Sequence, residues 1–300
     1  MRPPRSCKGG ANMASTVIMT DSIACIPPEL AKEHGIEVVP ASNIMFGGKT
    51  YLEGVTITAK ECYEFIKKDP DSFMTSAITP GFLVDEFRKA AEVSPNIIHI
   101  TLSSAMSAGF QTANLAVETL RKESPGINIR VVDSKTVGGA QALIVMAVAR
   151  EARNGTNLDG LVALAQKARQ KTGGIMFLDT LRYIYRTGRM SKTKARLVSM
   201  LNIKPINRIA DDGTAELVDK VRKRSDGYKK VIEIIRKDAG TDALHFVVSH
   251  ADAPDLAAIM ADQLKQEFKC LSMVTSDYSP VMGFGAGPGG LFIGYQPELK

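Results

Sequence analysis

Short β-branched apolar runs alternate with longer amphipathic stretches through the first half of the chain, and this alternation predicts strand and helix in turn. Residues 16–20 read as a strand ending at Asp21 and Ser22, residues 27–33 as helical and residues 36–40 as extended, a βαβ opening. Residues 44–52 fold back around Gly47 and Gly48 as a hairpin would. Thr58 and Glu61 fit a capping box at the start of a helix, and Thr79 caps another with Pro80 at its first position. Thr75 and Ser76 then fall in the loop between those two helices. Residues 96–102 (NIIHITL) form a buried-type strand, 107–121 a helix, 128–132 (NIRVV) a strand and 138–153 an unusually apolar helix. Strands joined by crossover helices predict a mostly parallel, doubly wound sheet.

The rhythm changes after Asn154 and Gly155. A helix (158–171), a strand (175–178) and two basic helical stretches precede a hairpin signal at Asp211, Asp212 and Gly213, which introduces antiparallel pairing. Strand 244–249, helix 254–268 and strand 271–275 follow, and a glycine-rich stretch leads into a last strand at 291–295. The expected fold is α/β with two domains: residues 14–156 around the parallel sheet, and residues 157–300 mixed, with antiparallel strands. Residues 1–13 read as an extension without regular structure.

Composition narrows the class. With 44% hydrophobic and 23% charged residues the 300-residue chain is that of an ordinary globular protein. The longest apolar run, residues 142–149, falls well below the roughly 20 residues of a membrane-spanning helix. The first twelve residues lack the apolar core of a secretory signal, so a cytoplasmic location is expected. Cys7, Cys25, Cys62 and Cys270 show no CxxC spacing and no cluster with histidine, which predicts free thiols. The net charge of +6 comes from scattered lysines and arginines apart from the clusters at 182–196 and 220–230. At 6% aromatic residues with no Trp there is little for bases to stack on, so no nucleic-acid partner is expected. A transient contact with an anionic membrane surface is compatible with the basic clusters.

Catalytic motifs are scarce. Gly285, Gly287 and Gly290 spell GxGxxG, but Pro288 interrupts the run and a strand follows it, so no dinucleotide unit is expected. His245 and His250 are five apart on a strand and point to opposite faces, which argues for structural roles over metal binding. No cofactor is expected. Hydroxyl, glycine and carboxylate residues gather instead at the carboxyl ends of strands: Asp21 and Ser22, Ser103 to Gly109, and Asp133 and Ser134. That edge is where open α/β sheets bind ligands. Residues 103–109 run straight into a helix, whose free N–H groups and positive dipole end suit an anion. Thr75 and Ser76 add two hydroxyl donors. Each of these residues is also an ordinary cap or turn former, but together they point to binding a small anion rather than to catalysis.

The ordered signatures MTDS (19–22), TSAITPG (75–81), SSAMSAGFQTA (103–113), VVDSK (131–135), RTGRMS (186–191), IKPI (203–206), HAD (250–252) and GFGAGPGG (283–290) resemble the DegV family of bacterial fatty-acid-binding proteins. The resemblance implies a two-domain protein that is not an enzyme and holds one long-chain fatty acid, its carboxylate at the domain interface. It assigns the head group to Thr75, Ser76, Ser107 and Ala108, with Gly109 and Gly285 alongside and Asp21, Ser22, Asp133 and Ser134 in supporting loops. It also implies a separate fatty-acid kinase that makes an acyl phosphate for phospholipid synthesis, with Arg186 and Arg189 toward its docking surface. Two departures stand out: Ala108 where the family has Gly, and Gly285 where it has His. The alternatives are a small-molecule phosphotransferase similar to dihydroxyacetone kinase, for which no phosphate loop is found, and a binder of another small carboxylate.

Overall fold

The protein is described here by a computed structural model covering residues 16–189, 202–241 and 243–299. The expected extension at 1–13, Cys7 and the part of the basic cluster beyond Arg189 lie outside the described residues.

Four strands form a parallel sheet: β1 (Val17–Asp21), β2 (Ile36–Val39), β6 (Asn96–Thr101) and β7 (Asn128–Asp133), in the order β2-β1-β6-β7. Helix α1 (Pro28–His34) supplies the crossover between the first two. Side-chain alternation divides the strands between two cores. Val17, Met19 and Ile97 pack with Leu83 and Phe87 of α3 (Pro80–Val93) and with Ala116 and Leu120 of α4 (Gly109–Glu123). Ile18, Ile98 and Ile100 face the other way, onto α5 (Gly138–Arg153) and α6 (Leu158–Lys171). Although α6 follows residue 156, it packs on β6 and β7.

Six strands form the second sheet: β8 (Gly173–Phe177), β9 (Lys204–Ile209), β10 (Ala215–Val221), β11 (Ala243–His250), β12 (Lys269–Asp277) and β13 (Leu291–Pro297). Their order is β10-β9-β8-β13-β11-β12, with β11 and β12 parallel and the other pairs antiparallel. One face carries α8 (Arg224–Ala239) and α9 (Pro254–Glu267). The other face meets α5, which is therefore sandwiched between two sheets and apolar almost all round. Glycine makes that approach close enough: a Cβ on Gly294 would fall 2.4 Å from the Ala140 nitrogen, and one on Gly139 2.7 Å from the Val247 oxygen. The apolar run at 142–149 is thus core packing between layers.

A small antiparallel sheet completes the fold: β3 (Ser42–Phe46), β4 (Lys49–Leu52) and β5 (Met74–Ala77), ordered β4-β3-β5. Gly47 and Gly48, at φ +58° and +74°, make the hairpin turn that the sequence predicts. Helix α2 (Ala59–Lys68) opens on the predicted Thr58–Glu61 capping box and stacks Phe65 on Phe46, ring centres 4.3 Å apart. Thr75 and Ser76 do not lie in a loop: they belong to β5, opposite Ile44 and Asn43 of β3. The strand has four residues, three of them exposed, so it carries no apolar alternation that would betray it. Of the two basic helical stretches expected before the hairpin, residues 182–187 form α7 (Arg182–Thr187), and the part at 190–201 lies outside the described residues. The basic cluster at 220–230 spans the end of β10 and the start of α8. The glycine-rich stretch begins as a short helix, α10 (Pro280–Ala286), before β13.

Candidate functional site

Residues from the sheets and from the loops and helices between them line a half-open cavity of about 370 Å³, within the range of small-molecule sites. Its buried wall is apolar: Ile23 after β1, Leu102 after β6, Val137 before α5, Met176 on β8 and Ala215 on β10. Its more exposed wall is polar, with Thr75 and Ser76 from β5, Ser107 and Ala108 ahead of α4, Gly285 from α10, and Thr187 and Arg189 from the end of α7. The structure therefore brings together residues drawn from more than two hundred positions of sequence.

The segment ahead of α4 is held by a dense set of hydrogen bonds. The Ser103 carbonyl accepts from the Met106 and Ser107 nitrogens at 3.0 and 3.1 Å, and the Ser103 nitrogen donates to the Thr136 carbonyl at 2.9 Å. The Ser103 hydroxyl donates to the Gly213 carbonyl at 2.8 Å. Helix α4 begins at Gly109, two residues later than the sequence suggests, and Ala108 at its cap position offers no side-chain bond. Ser107 Oγ takes the Gly109 nitrogen at 3.2 Å. Ala108, the cap residue of α4, lines the cavity, and the first turn of α4 contains no acidic residue to offset the positive end of the helix.

Asp21, Ser22, Asp133 and Ser134 do not line the cavity; they brace it. Buried Asp21 accepts from the Leu102 nitrogen at 2.7 Å, the Ile23 nitrogen at 3.2 Å and Gln141 Nε2 at 3.1 Å. Burial pushes its pKa up to about 7 against the opposing effect of those donors. Asp133 receives the Ser104 hydroxyl at 2.6 Å and the Lys135 nitrogen at 2.8 Å, and Ser134 Oγ takes the Thr136 nitrogen at 3.3 Å. Gly109 also stands behind the wall, where an added Cβ would press on Leu102 at 3.3 Å.

The two arginines separate. Arg189 lines the cavity, its Nε donating to the Met106 carbonyl at 3.4 Å. Arg186 pairs with Asp71 at 2.6 Å, and its guanidinium lies 5.2 Å from the centre of the Phe284 ring and 5.6 Å from that of Tyr183. Gly285 has room beside it, since an added Cβ would meet only Thr187 Cγ2 at 3.9 Å. Sequence reasoning missed Glu53, a carboxylate buried beside this wall. Standing before Gly54 at the end of the hairpin, it reads as a turn residue, and no local signal marks its burial.

His245 bonds Ser272 Oγ through Nδ1 at 2.8 Å and Glu298 through Nε2 at 2.9 Å, and His250 Nδ1 lies 3.4 Å from Asp277. Among the described residues no cluster of histidine, cysteine and carboxylate side chains is arranged to hold a metal. Cys25, Cys62 and Cys270 are free thiols.

A half-open, largely apolar cavity bordered by hydroxyls, a helix start and one arginine, set in an α/β fold, has the build of a small-molecule site. The profile of the DegV family, described as uncharacterised proteins, matches residues 15–298, and the chain belongs to that family. A DegV domain-containing protein of Caldanaerobacter subterraneus is 30% identical over 278 residues, covering 92% of this chain and 96% of its own. The structure of DegV from Bacillus subtilis, a fatty acid binding protein, is 25% identical with a TM-score of 0.83 and covers 95% of this chain and 100% of its own. A DegV family structure from Ruminococcus gnavus with vaccenic acid shares the fold at a TM-score of 0.86 and 21% identity, covering 94% of this chain and 99% of its own.

Proposed function

We propose that the protein binds one long-chain fatty acid and carries it without transforming it. The observation that carries this reading is the chemistry of the cavity wall: among the described residues that line it, Arg189 is the one ionisable side chain, and the rest are apolar, hydroxyl-bearing or small. Such a wall offers donors to a carboxylate, and its described residues include no general base to activate those hydroxyls as nucleophiles and no carboxylate, histidine or cysteine to hold a metal. Fatty-acid binding by the Bacillus subtilis relative and vaccenic acid in the Ruminococcus gnavus structure support the same ligand class.

The carboxylate sits at the exposed wall, taking hydrogen bonds from the hydroxyls of Thr75, Ser76 and Ser107 and from backbone N–H groups at the start of α4, with Arg189 near its charge. The tail follows the apolar wall inward. Burying about 14 methylenes at roughly 0.8 kcal/mol each gives a gross gain near 11 kcal/mol, whereas a hydrogen bond to a charged group contributes about 1.5–3 kcal/mol. The tail therefore supplies affinity, and the head-group donors supply orientation. An exposed carboxylate beside Arg189 suits presentation to a separate kinase that forms an acyl phosphate in the cytoplasm. Arg189, rather than Arg186 with its Asp71 partner, is the cation placed to meet that chemistry.

Mass spectrometry of the purified protein, native and then denatured, tests the reading. A co-purified acid of fatty-acid mass near one-to-one ratio is the expected result. An empty cavity, or a different small anion in it, overturns the assignment.

A further inference from the structure

Three separate segments converge on the carboxylate of Glu53, which is 1% exposed. Its Oε2 accepts from the Ser22 hydroxyl at 2.6 Å and from the Ala41 nitrogen at 3.3 Å. Its Oε1 accepts from the Val281 nitrogen at 3.2 Å, across 228 positions of sequence. Ala41 and Val281 both line the cavity, and Ser22 immediately precedes Ile23, which lines it too. One buried side chain thus ties together the turn after β1, the entry to β3 and the first turn of α10.

Helix α10 needs that tie. It has seven residues, too few to be stable alone, and the N–H groups of its first turn have no partners within the helix. Ser279 Oγ takes the Met282 nitrogen, Cys25 Sγ takes the Ser279 nitrogen at 3.3 Å, and Glu53 takes the Val281 nitrogen. Farther along, Phe284 is held between the Phe73 ring at 4.8 Å and the Arg186 guanidinium. Val281, Met282, Phe284 and Gly285 put this helix against the cavity, so any loosening of α10 opens the wall beside the ligand. A carboxylate suits the position because both oxygens accept; an amide would turn its N–H₂ toward one of the donors.

We infer that Glu53 is a positioning residue of the carrier site: it locks α10 shut across the cavity, so that retention of the fatty acid depends on a side chain that never touches it. This inference rests on the fatty-acid reading above, and occupancy by the ligand in turn steadies α10, since coupling between the two is reciprocal.

The test uses the full chain, with Glu53→Gln as the nearly isosteric change and Glu53→Ala as the stronger one. Hydrogen exchange at the amides of 281–286 is followed with and without cis-parinaric acid, together with the rate at which that fluorescent fatty acid dissociates. In both variants exchange at 281–286 is expected to quicken while the amides of α3 and α4 keep wild-type rates. Dissociation should accelerate about tenfold or more, and the slowing of 281–286 exchange by ligand should shrink. A Glu53→Ala chain that does not fold leaves Glu53→Gln to decide. Wild-type exchange at 281–286 in Glu53→Gln overturns the locking role, and faster exchange with wild-type dissociation overturns its link to retention. A wild-type chain that binds no cis-parinaric acid overturns the fatty-acid reading and the link to retention; ligand-free exchange at 281–286 still reads the lock on α10.

Discussion

The Ser103 hydroxyl donates to the Gly213 carbonyl at 2.8 Å, joining the segment that carries Ser107 to the tip of the β9–β10 hairpin 110 positions away. Ser103 is fully buried, so neither partner finds water if the bond is lost. The same hydroxyl accepts from the Ala105 nitrogen at 3.2 Å. It thereby sets the path of the chain into α4 while fastening the second sheet to the first.

Ser103→Ala leaves the Gly213 carbonyl without this partner, at an expected cost of about 1–3 kcal/mol. Gly213→Ala should cost more, because Gly213 has φ +86° and an added Cβ would lie 2.2 Å from Ser103 Oγ. Urea unfolding of the two variants checks this. A wild-type midpoint for Ser103→Ala would show that the bond contributes nothing net.

Combining Ser107→Ala with Thr75→Ala removes two hydroxyls from the exposed wall without emptying any core. Ser107 and Thr75 are both only partly buried. The double variant should keep its cooperative unfolding and lose fatty-acid occupancy, by about ten- to a hundredfold for each bond to the charged head group. Titration with a fluorescent fatty acid gives the answer, and unchanged affinity removes these residues from the head-group site.

Gly285→His places a side chain where the cavity has space, with Thr187 Cγ2 at 3.9 Å as the nearest neighbour of the new Cβ. An imidazole there adds a donor at the exposed wall, so affinity for a fatty acid should rise, and phosphorylation of the bound acid by a cognate kinase should become faster. Both are measurable on the same preparation. If neither changes, the glycine at this position is not what limits the site.

Much of this architecture is legible because burial imposes period two on strands and caps impose chemistry on helix starts. Val17 and Met19 against Ile18 divide β1 between two cores, and Thr58 with Glu61 announces α2. The hydroxyl residues at the strand ends could be named for the same reason: they cap and turn the chain where they stand. Glu53 could not, since its partners Val281 and Ser22 are brought to it only by the packing of three layers. Arg189 reads as a surface cation until the end of α7 folds beside Met106. Helix α10 is hidden by its own glycines, Gly283 and Gly285, which disfavour a helix that tertiary hydrogen bonds then impose.

His99 and Asp21 set opposite pH dependences within one sheet. His99 is buried against Phe87, its Nδ1 without a partner, and burial lowers its pKa from 6.5 to about 4. The folded protein therefore resists protonation of His99: the stability this residue contributes is complete above pH 6.5 and falls as the pH drops toward 4. Asp21 works in reverse, because burial raises its pKa from 3.8 to about 7. Its contribution is complete below pH 3.8 and is lost as the pH rises through 7. Each pH unit within either window changes stability by about 1.4 kcal/mol, and the two slopes have opposite signs, so between pH 4 and 6.5 they cancel. His99→Leu removes one of them. The stability difference between wild type and His99→Leu should therefore shift by about 1.4 kcal/mol per pH unit across that window, with the variant gaining on the wild type as the pH falls. Urea unfolding at half-unit steps from pH 4 to 7 measures it, and a pH-independent difference would mean that His99 titrates normally in the folded protein.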